Sequence, residues 1–269
     1  MTRAIRLGAV EYLNARPLVY GLEREPRFAL RFDVPARCAA LLHAGDIDLG
    51  LIPSIEYLRG SQPYRIVPSL AVASDGPVAS VALYSRKEPR DIGSIALDTT
   101  SRTSVALTQV VANRAFGIAP DLVPMAPDLP AMLARADAAL IIGDKALFLD
   151  EAAEGAQKID LGQLWKTETG LPFVYAFWAG RRDTVDPVDV GRLRQARDAG
   201  LENIPAVARA YYPADPVSQA VAEQYLRNNI RHSLDEAEVE GLKTFYRYAT
   251  ELGLVAFDGA LRFYDAERD

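Results

Sequence analysis

Short apolar runs alternate with amphipathic segments from residue 5 onward. Strands are predicted at residues 5–12, 28–32 and 47–52, and helices at residues 17–24 and 35–44. A helix between two successive strands favours a right-handed crossover, which brings the two strands side by side in parallel. The pattern therefore predicts an α/β fold. Two further strands are predicted at residues 65–72 and 78–85.

A second run of the same kind follows the polar segment 86–93. Its predicted elements, in the order strand, helix, strand, helix, strand, are residues 94–97, 103–116, 122–124, 129–134 and 138–142. An apolar segment at 171–179 then leads into a helical tail. We therefore expect two lobes, with residues 1–87 and 181–269 in lobe 1 and residues 88–180 in lobe 2.

The tail is predicted to pack on a lobe. Ser233 and Glu236 have the spacing of a capping box, and an apolar stripe from Val239 to Leu252 ends at Gly253. Two α/β lobes joined by two crossovers are typical of the type II periplasmic-binding-protein fold, in which mixed sheets flank a central ligand cleft.

Composition narrows the class of partner. The 269 residues are 49% hydrophobic, enough for a sizeable core. A net charge of −6 and a pI near 5.1 speak against binding to nucleic acid or to acidic membranes. The N-terminus leads directly into an apolar strand, and no run of about 18 apolar residues follows. We therefore expect a cytoplasmic protein. The sequence indicates no oligomeric state.

The sequence lacks the residue patterns of several common kinds of site. Cys38 is the only cysteine, and His43 and His232 are far apart, so the sequence offers no disulfide framework and no zinc-binding spacing. It has no glycine-rich nucleotide loop and no nucleophile elbow. We expect no metal or nucleotide cofactor, and we expect both histidines to be structural.

A hydroxyl-rich turn is the most informative local feature. Residues 97–104 carry five Ser and Thr side chains between a strand end and an apolar helix. One hydroxyl is enough to cap a helix, whereas several, with the helix dipole, can bind an anion. Thr103 and Ser104 are therefore candidate ligand-binding residues, although surplus capping groups would also explain the turn.

Other candidates follow the predicted strands, where the crevice of an α/β sheet lies. They are Asn14 and Arg16 after the first strand, Ser54 after the third, Ser80 in the turn 73–80, and Gly143 after strand 138–142. Asn14 can donate and accept hydrogen bonds, and Arg16 could pair with a carboxylate. Each candidate also has a structural interpretation: a cap at Asn14 or Ser54, a solvated charge at Arg16, a hairpin at Ser80 and a plain turn at Gly143.

Five segments together resemble the signature blocks of the chorismate dehydratases, which act in the futalosine route to menaquinone. They are residues 8–18, 45–54, 74–81, 98–104 and 169–176. The combination is more specific than any one block. The resemblance implies a type II binding-protein fold, elimination of water from chorismate to give 3-[(1-carboxyvinyl)oxy]benzoate, and no metal or organic cofactor.

The resemblance also implies roles for the candidate residues. Ser54, Ser80, Thr103 and Ser104 would hold the carboxylates of chorismate, with Arg16 and Gly143 also contacting it. Asn14 would orient the leaving hydroxyl or the enolpyruvyl group. The base stays open between the substrate's own side-chain carboxylate, which has been considered in the family, Glu11, and Asp144, which is otherwise predicted to cap a helix.

Three other functions compete with this one. A sister family, which cyclises dehypoxanthinyl futalosine, has Ile-His-Glu where this chain has Ile142, Gly143 and Asp144. A solute receptor for small carboxylates has the same fold but requires export. The sensing domain of a transcription factor would need a helical DNA-binding module in about the first 60 residues, which are predicted to be βαβ.

Overall fold

Two five-stranded sheets organise the part of the chain that the computed structural model describes, residues 3–149 and 155–264. The strands are β1 (Ile5–Val10), β2 (Phe28–Asp33), β3 (Leu49–Pro53), β4 (Arg65–Ser74), β5 (Val81–Ser85), β6 (Ser94–Asp98), β7 (Asp121–Met125), β8 (Ala138–Ile142), β9 (Gln157–Asp160) and β10 (Phe173–Gly180). The first sheet has the order β2-β1-β3-β10-β4 and the second the order β7-β6-β8-β5-β9.

Both sheets are mixed, as the sequence predicted. In the first, β1 is parallel to β2 and β3, whereas β10 is antiparallel to β3 and β4. In the second, β6 is parallel to β7 and β8, whereas β5 is antiparallel to β8 and β9. Every residue of β3, β8 and β10 is buried, because elements cover both faces of these central strands.

The α-helices surround the sheets. They are α1 (Pro35–Ala44), α2 (Arg102–Val111), α3 (Leu129–Arg135), α4 (Asp144–Leu147), α5 (Leu161–Thr169), α6 (Pro187–Glu202), α7 (Ile204–Tyr211), α8 (Pro216–Asn228) and α9 (Glu236–Glu251). The helix predicted at 17–24 is instead two short 3-10 helices, Leu13–Val19 and Leu22–Arg24. The capping box of α9 is formed by Asp235 and Glu238, not by Ser233 and Glu236.

The predicted lobe boundaries differ from the sheet membership at both ends. Strand β5, expected in lobe 1, pairs with β8 and β9 in the second sheet, and β10, expected in lobe 2, pairs with β3 and β4 in the first. The chain passes from one sheet to the other before β5 and before β10, whereas the polar segments near 88 and 181 come after these strands. They therefore do not mark the lobe boundaries. We therefore use lobe 1 for the first sheet with the tail from α6 onward, and lobe 2 for the second sheet.

Among the described residues, two segments join the lobes. The first crossing, residues 75–80, connects β4 to β5, so the turn interpreted as a possible hairpin instead links two sheets. The second crossing, residues 161–172, contains α5. Its Trp165 packs edge to face on Phe173 of β10 and Phe245 of α9, with ring centroids 5.2 and 6.2 Å apart. This buried cluster fixes the second crossing against lobe 1.

Candidate functional site

A small cavity lies between the two sheets, where several strands end. Its lining comes mainly from the ends of β1, β3 and β8, the N-terminus of α2, and β10, with single residues from α1, β4, the first crossing and β5: Val10, Tyr12, Asn14, Pro35, Pro53, Val72, Val78, Val81, Ser101, Ser104, Ile142, Gly143, Tyr175 and Ala176. We call it the inner cavity. It thus brings together Asn14, Ser104 and Gly143 of the predicted site residues.

The inner cavity has a volume of about 40 Å³. Pockets that hold small molecules usually measure about 300 to 1,000 Å³. A ligand with a six-membered ring therefore enters only if the lobes separate or side chains rearrange, which is the expected behaviour of a two-lobed fold with two crossings.

Ser101 and Ser104 form a polar corner at the N-terminus of α2. Ser101 Oγ accepts hydrogen bonds from the Ser104 N–H at 3.4 Å and from the Ser104 hydroxyl at 3.0 Å. Because Ser101 accepts both, its own proton can be donated into the cavity. The corner also faces the positive end of the helix dipole, so it suits a carboxylate.

Asn14 and Ser80 meet through a tyrosine of the tail. Ser80 Oγ lies 2.6 Å from Tyr225 Oη, and the polar side chain of Asn14 lies close enough to the same hydroxyl to lower the pKa of Tyr225, although burial raises it overall. The Gly143 N–H donates to the Ser80 carbonyl at 2.8 Å. The segments after β1 and β8 and the first crossing therefore converge beside the inner cavity.

His232 supports Asn14 from behind. Its Nε2–H donates to the Asn14 main-chain carbonyl at 2.7 Å, since a carbonyl can only accept. Burial lowers the pKa of His232 to about 4, against the hydrogen bond to Asn14. His232 is therefore a neutral structural residue near pH 7.

His43 lies in a hydrogen-bonded cluster with Tyr64 and Glu56, away from the inner cavity. Its ring nitrogens lie 2.8 Å from Tyr64 Oη and 3.0 Å from Glu56 Oε2. Burial would raise the pKa of Glu56, but hydrogen bonds from His43 and Arg59 and the nearby Arg102 outweigh it and lower that pKa to about 2. Both histidines thus have the structural surroundings that the sequence predicted.

Gly143 has a conformation that only glycine adopts readily. Its φ of 70° and ψ of −153° lie outside the regions open to residues with a Cβ. A Cβ would also lie 3.3 Å from the Tyr12 ring. A histidine at this position would therefore require a different backbone.

A larger space, the outer chamber, opens beside the inner cavity. It has a volume of about 950 Å³ and shares Tyr12 and Ile142 with the inner cavity. Tyr12 Oη donates to Thr100 Oγ1 at 3.1 Å and so joins the lobes, and burial raises the pKa of Tyr12 to about 12. Tyr12 therefore stands, uncharged, between the two spaces.

Arg16 and Glu11 line the outer chamber rather than the inner cavity. The Arg16 guanidinium donates to the Glu11 carbonyl at 2.8 and 3.1 Å and stacks over the rings of Phe32 and Tyr211, at 4.3 and 5.0 Å. These contacts hold Arg16 at the wall of the outer chamber, which we call the cleft mouth. It is not among the groups around the inner cavity.

Asp144 joins the lobes instead of capping α4. Its carboxylate accepts the Leu13 N–H at 3.3 Å and the hydroxyl of Tyr211, both in lobe 1. Burial raises the pKa of Asp144, against these two hydrogen bonds, which lower it. Asp144 lines the outer chamber and is not among the residues that line the inner cavity.

Ser54 and Thr103 are paired with each other across the lobes. Their hydroxyls are 3.3 Å apart, Ser54 donates to the Val174 carbonyl at 2.8 Å, and Thr103 accepts the Ile55 N–H at 3.1 Å. Both side chains are buried and neither is among the residues that line the inner cavity. Their contacts hold the lobes together, where the sequence predicted substrate binding.

Several site residues were not proposed from the sequence. Ser101 lies in the hydroxyl-rich turn, and Tyr12 and Tyr175 lie in the segments that resemble the family's signature blocks, so the sequence does carry a signal at these positions. Tyr211 and Tyr225 come from α7 and α8, which were predicted only to pack. Nothing in their local sequence distinguishes them from core tyrosines.

No group of three or more His, Cys, Asp or Glu side chains that could hold a metal ion occurs within residues 3–149 and 155–264. In the same stretches, none of the helices has the length and apolar character required to cross a membrane.

Comparisons with known sequences agree on one family. A family model described as menaquinone biosynthesis matches residues 5–251. The chain is also 34% identical over 263 residues to the chorismate dehydratase of Thermus thermophilus, a match that covers 92% of this chain and 95% of the relative.

Solved structures share the fold. A protein of Archaeoglobus fulgidus has a TM-score of 0.77 at 19% identity, covering 94% of this chain and 98% of its own. The alkanesulfonate-binding protein of Xanthomonas axonopodis has a TM-score of 0.66 at 16% identity, covering 95% of each chain. A Candida albicans protein with the generic periplasmic-binding-protein fold has a TM-score of 0.66 at 12% identity, covering 100% and 99%. The predicted two-lobed, periplasmic-binding-protein-like fold is confirmed.

Proposed function

We propose that this chain, which belongs to the menaquinone biosynthesis family, is a chorismate dehydratase. In the proposed reaction the C3 proton and the C4 hydroxyl of chorismate leave as water, and the product is 3-[(1-carboxyvinyl)oxy]benzoate. This is a carbon–oxygen lyase reaction in which no cofactor takes part. The cytoplasmic location expected from the sequence belongs to the same proposal.

The structure of chorismate shows which group gains negative charge in the transition state. The ring carboxylate is conjugated with the double bond next to C3, so the charge that develops as the C3 proton leaves spreads onto that carboxylate. Loss of the C4 hydroxyl then completes an aromatic ring. Donors held at the ring carboxylate therefore stabilise the transition state more than the ground state.

The observation that carries the proposal is that polar groups from both lobes line one small, otherwise largely apolar cavity. Ser101 and Ser104 line the cavity at the N-terminus of α2, and Asn14 and Gly143 line it after β1 and β8. Ser80 is hydrogen-bonded to Gly143 and to Tyr225 beside the cavity. We assign the ring carboxylate to Ser101 and Ser104. The amide of Asn14 then serves the leaving hydroxyl, and fixed orientation supplies much of the rate.

The base in this proposal is the side-chain carboxylate of the substrate. Asp144 and Glu11 line the outer chamber, and Asp144 is held there by Leu13 and Tyr211. A carboxylate carried by the substrate enters the inner cavity with the ring and needs no protein group at that point. This assignment agrees with the structural roles of His43 and His232.

The rival functions have less support. The cyclase of the sister family calls for a histidine where Gly143 has a glycine-only conformation. A receptor for small carboxylates would also bind an anion at Ser101 and Ser104, so it is separated from an enzyme only by turnover.

Incubation of the purified protein with chorismate tests the proposal. We expect an aromatic product lighter than chorismate by one water. Asn14→Ala should abolish turnover without unfolding the protein, whereas the control Asn203→Ala should turn over normally, since Asn203 is exposed and its side chain bonds only the Ala199 carbonyl within the described residues. Near-normal turnover by Asn14→Ala would remove Asn14 from the mechanism. Binding of chorismate without turnover by the wild type would favour the receptor.

A further inference from the structure

We infer that Tyr225 is a positioning residue, which sets the orientation of the Asn14 amide and the Ser80 hydroxyl toward the substrate. The inference rests on the proposed function, because that function places the Asn14 amide at the leaving hydroxyl of chorismate, with Ser80 beside it. It assigns to the tail of the chain a role in the reaction.

Tyr225 is a buried residue that does not line the inner cavity but contacts groups beside it. It lies on α8 with 2% of its surface exposed, between the buried Ala222 and Leu226. Its ring belongs to the core of lobe 1, and only its hydroxyl reaches the polar groups of the cleft. A rigid ring with a single polar end is suited to fixing a neighbour, because little motion is left to it.

The Tyr225 hydroxyl joins two segments that are distant in sequence. Asn14 follows β1, and Ser80 ends the first crossing, whose conformation is itself unusual because Ala79 has a φ of 62°. The Ser80 main chain is held by the Gly143 N–H, and its side chain by Tyr225 at 2.6 Å. The main-chain hydrogen bond does not restrict rotation of the Ser80 side chain about its Cα–Cβ bond. Tyr225 therefore sets that rotation.

A phenol can hold both partners at once. It has one proton to donate and can accept through its oxygen, so it can donate to Asn14 or Ser80 while accepting from the other. Because Asn14 lines the inner cavity, an amide held by Tyr225 through one donor or acceptor keeps its other groups for the substrate. Burial raises the pKa of Tyr225, so the hydroxyl keeps its proton at neutral pH.

Tyr225→Phe removes the hydroxyl that bonds Ser80 and lies beside the Asn14 side chain, and it keeps the ring. We expect kcat to fall about 10- to 100-fold, because small misplacement of reacting groups is costly, with a smaller change in KM. Tyr57→Phe is the matched control. Its ring is also in the core of lobe 1, but its hydroxyl accepts the Arg262 N–H, away from the inner cavity. The control should keep the wild-type kcat.

The side-chain amide signal of Asn14 in a ¹⁵N–¹H spectrum gives a second readout that does not depend on turnover. It can be assigned by its disappearance in Asn14→Ala. We expect this signal to shift or broaden in Tyr225→Phe and to stay unchanged in Tyr57→Phe. Wild-type kcat together with an unmoved Asn14 signal in Tyr225→Phe would overturn the inference.

The two proposals fail in different ways. A wild-type protein that does not turn over chorismate would contradict the proposed function, whatever Tyr225 does. A loss of kcat in Tyr225→Phe with an unmoved Asn14 signal would contradict the positioning role while leaving the function in place. A loss of the same size in Tyr57→Phe would show a general effect of removing a buried hydroxyl, and would also overturn the inference.

Discussion

Gly143 restricts, more than any other single position of the inner cavity, which side chain the cleft can carry. Its conformation costs a residue with a Cβ about 1 to 3 kcal/mol, and a Cβ would press on the Tyr12 ring. Gly143→Ala should therefore lose turnover and lower the free energy of unfolding by at least about 1 kcal/mol more than Gly117→Ala. Gly117 also has a positive φ, of 69°, but has open space around it.

Urea denaturation of the two alanine variants measures this difference. Equal losses of stability would mean that the Gly143 backbone relaxes to accept a side chain. The distinction between this chain and the sister family would then rest on sequence alone.

His232 should make stability depend on pH. Its folded-state pKa of about 4 is below the ordinary value of 6.5 because the ring is buried, so the unfolded chain binds a proton between these two values and the folded chain does not. Stability is full above pH 6.5 and falls as the pH decreases toward 4. The loss between pH 7 and pH 5 is up to about 2 kcal/mol.

Comparison of wild type with His232→Gln, by urea denaturation at pH 7 and pH 5, isolates this contribution. The variant should lose less stability between the two pH values than the wild type does. Parallel behaviour of the two proteins would show that His232 takes up its proton equally in both states.

At the scale of single residues, sequence patterns located part of the site. Asn14, Ser104 and Gly143 follow strand ends or begin a helix, and parallel strands bring such positions to one edge. Ser54 and Thr103 carry the same kind of signal, yet they bond each other, because closure of the lobes brings them together. A hydroxyl at a strand end is thus predictable, but its partner is not.

At the scale of elements, the carboxylate of Asp160 forms hydrogen bonds with both crossings. Asp160 ends β9, accepts the N–H groups of Val78 and Ala79 in the first crossing at 3.0 and 2.6 Å, and caps α5 in the second through the Gln163 N–H at 2.9 Å. It therefore fixes the segment that presents Ser80.

Asp160→Ala should lower the free energy of unfolding by about 2 to 3 kcal/mol and also reduce kcat, since three N–H groups lose their acceptor. Asp128→Ala should cost about 1 kcal/mol and leave kcat unchanged, because Asp128 caps only α3 at the surface of lobe 2. Urea denaturation and steady-state rates test the pair. An unchanged kcat in Asp160→Ala would show that Ser80 does not depend on this anchor.

The elements themselves were largely predictable, and their assignment to lobes was not. Periodicity located β6 to β8 and α1 within a few residues. It could not show that β5 and β10 exchange sheets, because both are fully buried apolar runs and pair with strands far along the chain. The segment after β1 forms 3-10 turns, since it carries Asn14 and Pro17 in place of a continuous helical stripe.

For the whole molecule, closure of the lobes depends on contacts at the cleft mouth. Asp144 of lobe 2 accepts hydrogen bonds from Leu13 and Tyr211 of lobe 1. Tyr211→Phe should weaken the closed form by about 1 kcal/mol, which corresponds to about fivefold weaker binding of a ligand that requires closure.

Titration with chorismate under non-turnover conditions, in the Asn14→Ala background, measures this binding. Tyr212→Phe is the control, because that neighbouring ring packs on Phe148 and Tyr211 rather than on Asp144. Equal affinities of the two variants would show that the Asp144–Tyr211 contact does not contribute to closure.

The central claim concerns the whole molecule: closed on chorismate, it removes the C3 proton and the C4 hydroxyl together as water. Chorismate carrying deuterium at C3 tests this claim most directly, with mass spectrometry of the product. We predict an aromatic product that keeps the enolpyruvyl arm and has lost the deuterium. A product that retains the deuterium, or that has lost the enolpyruvyl arm, would contradict the account.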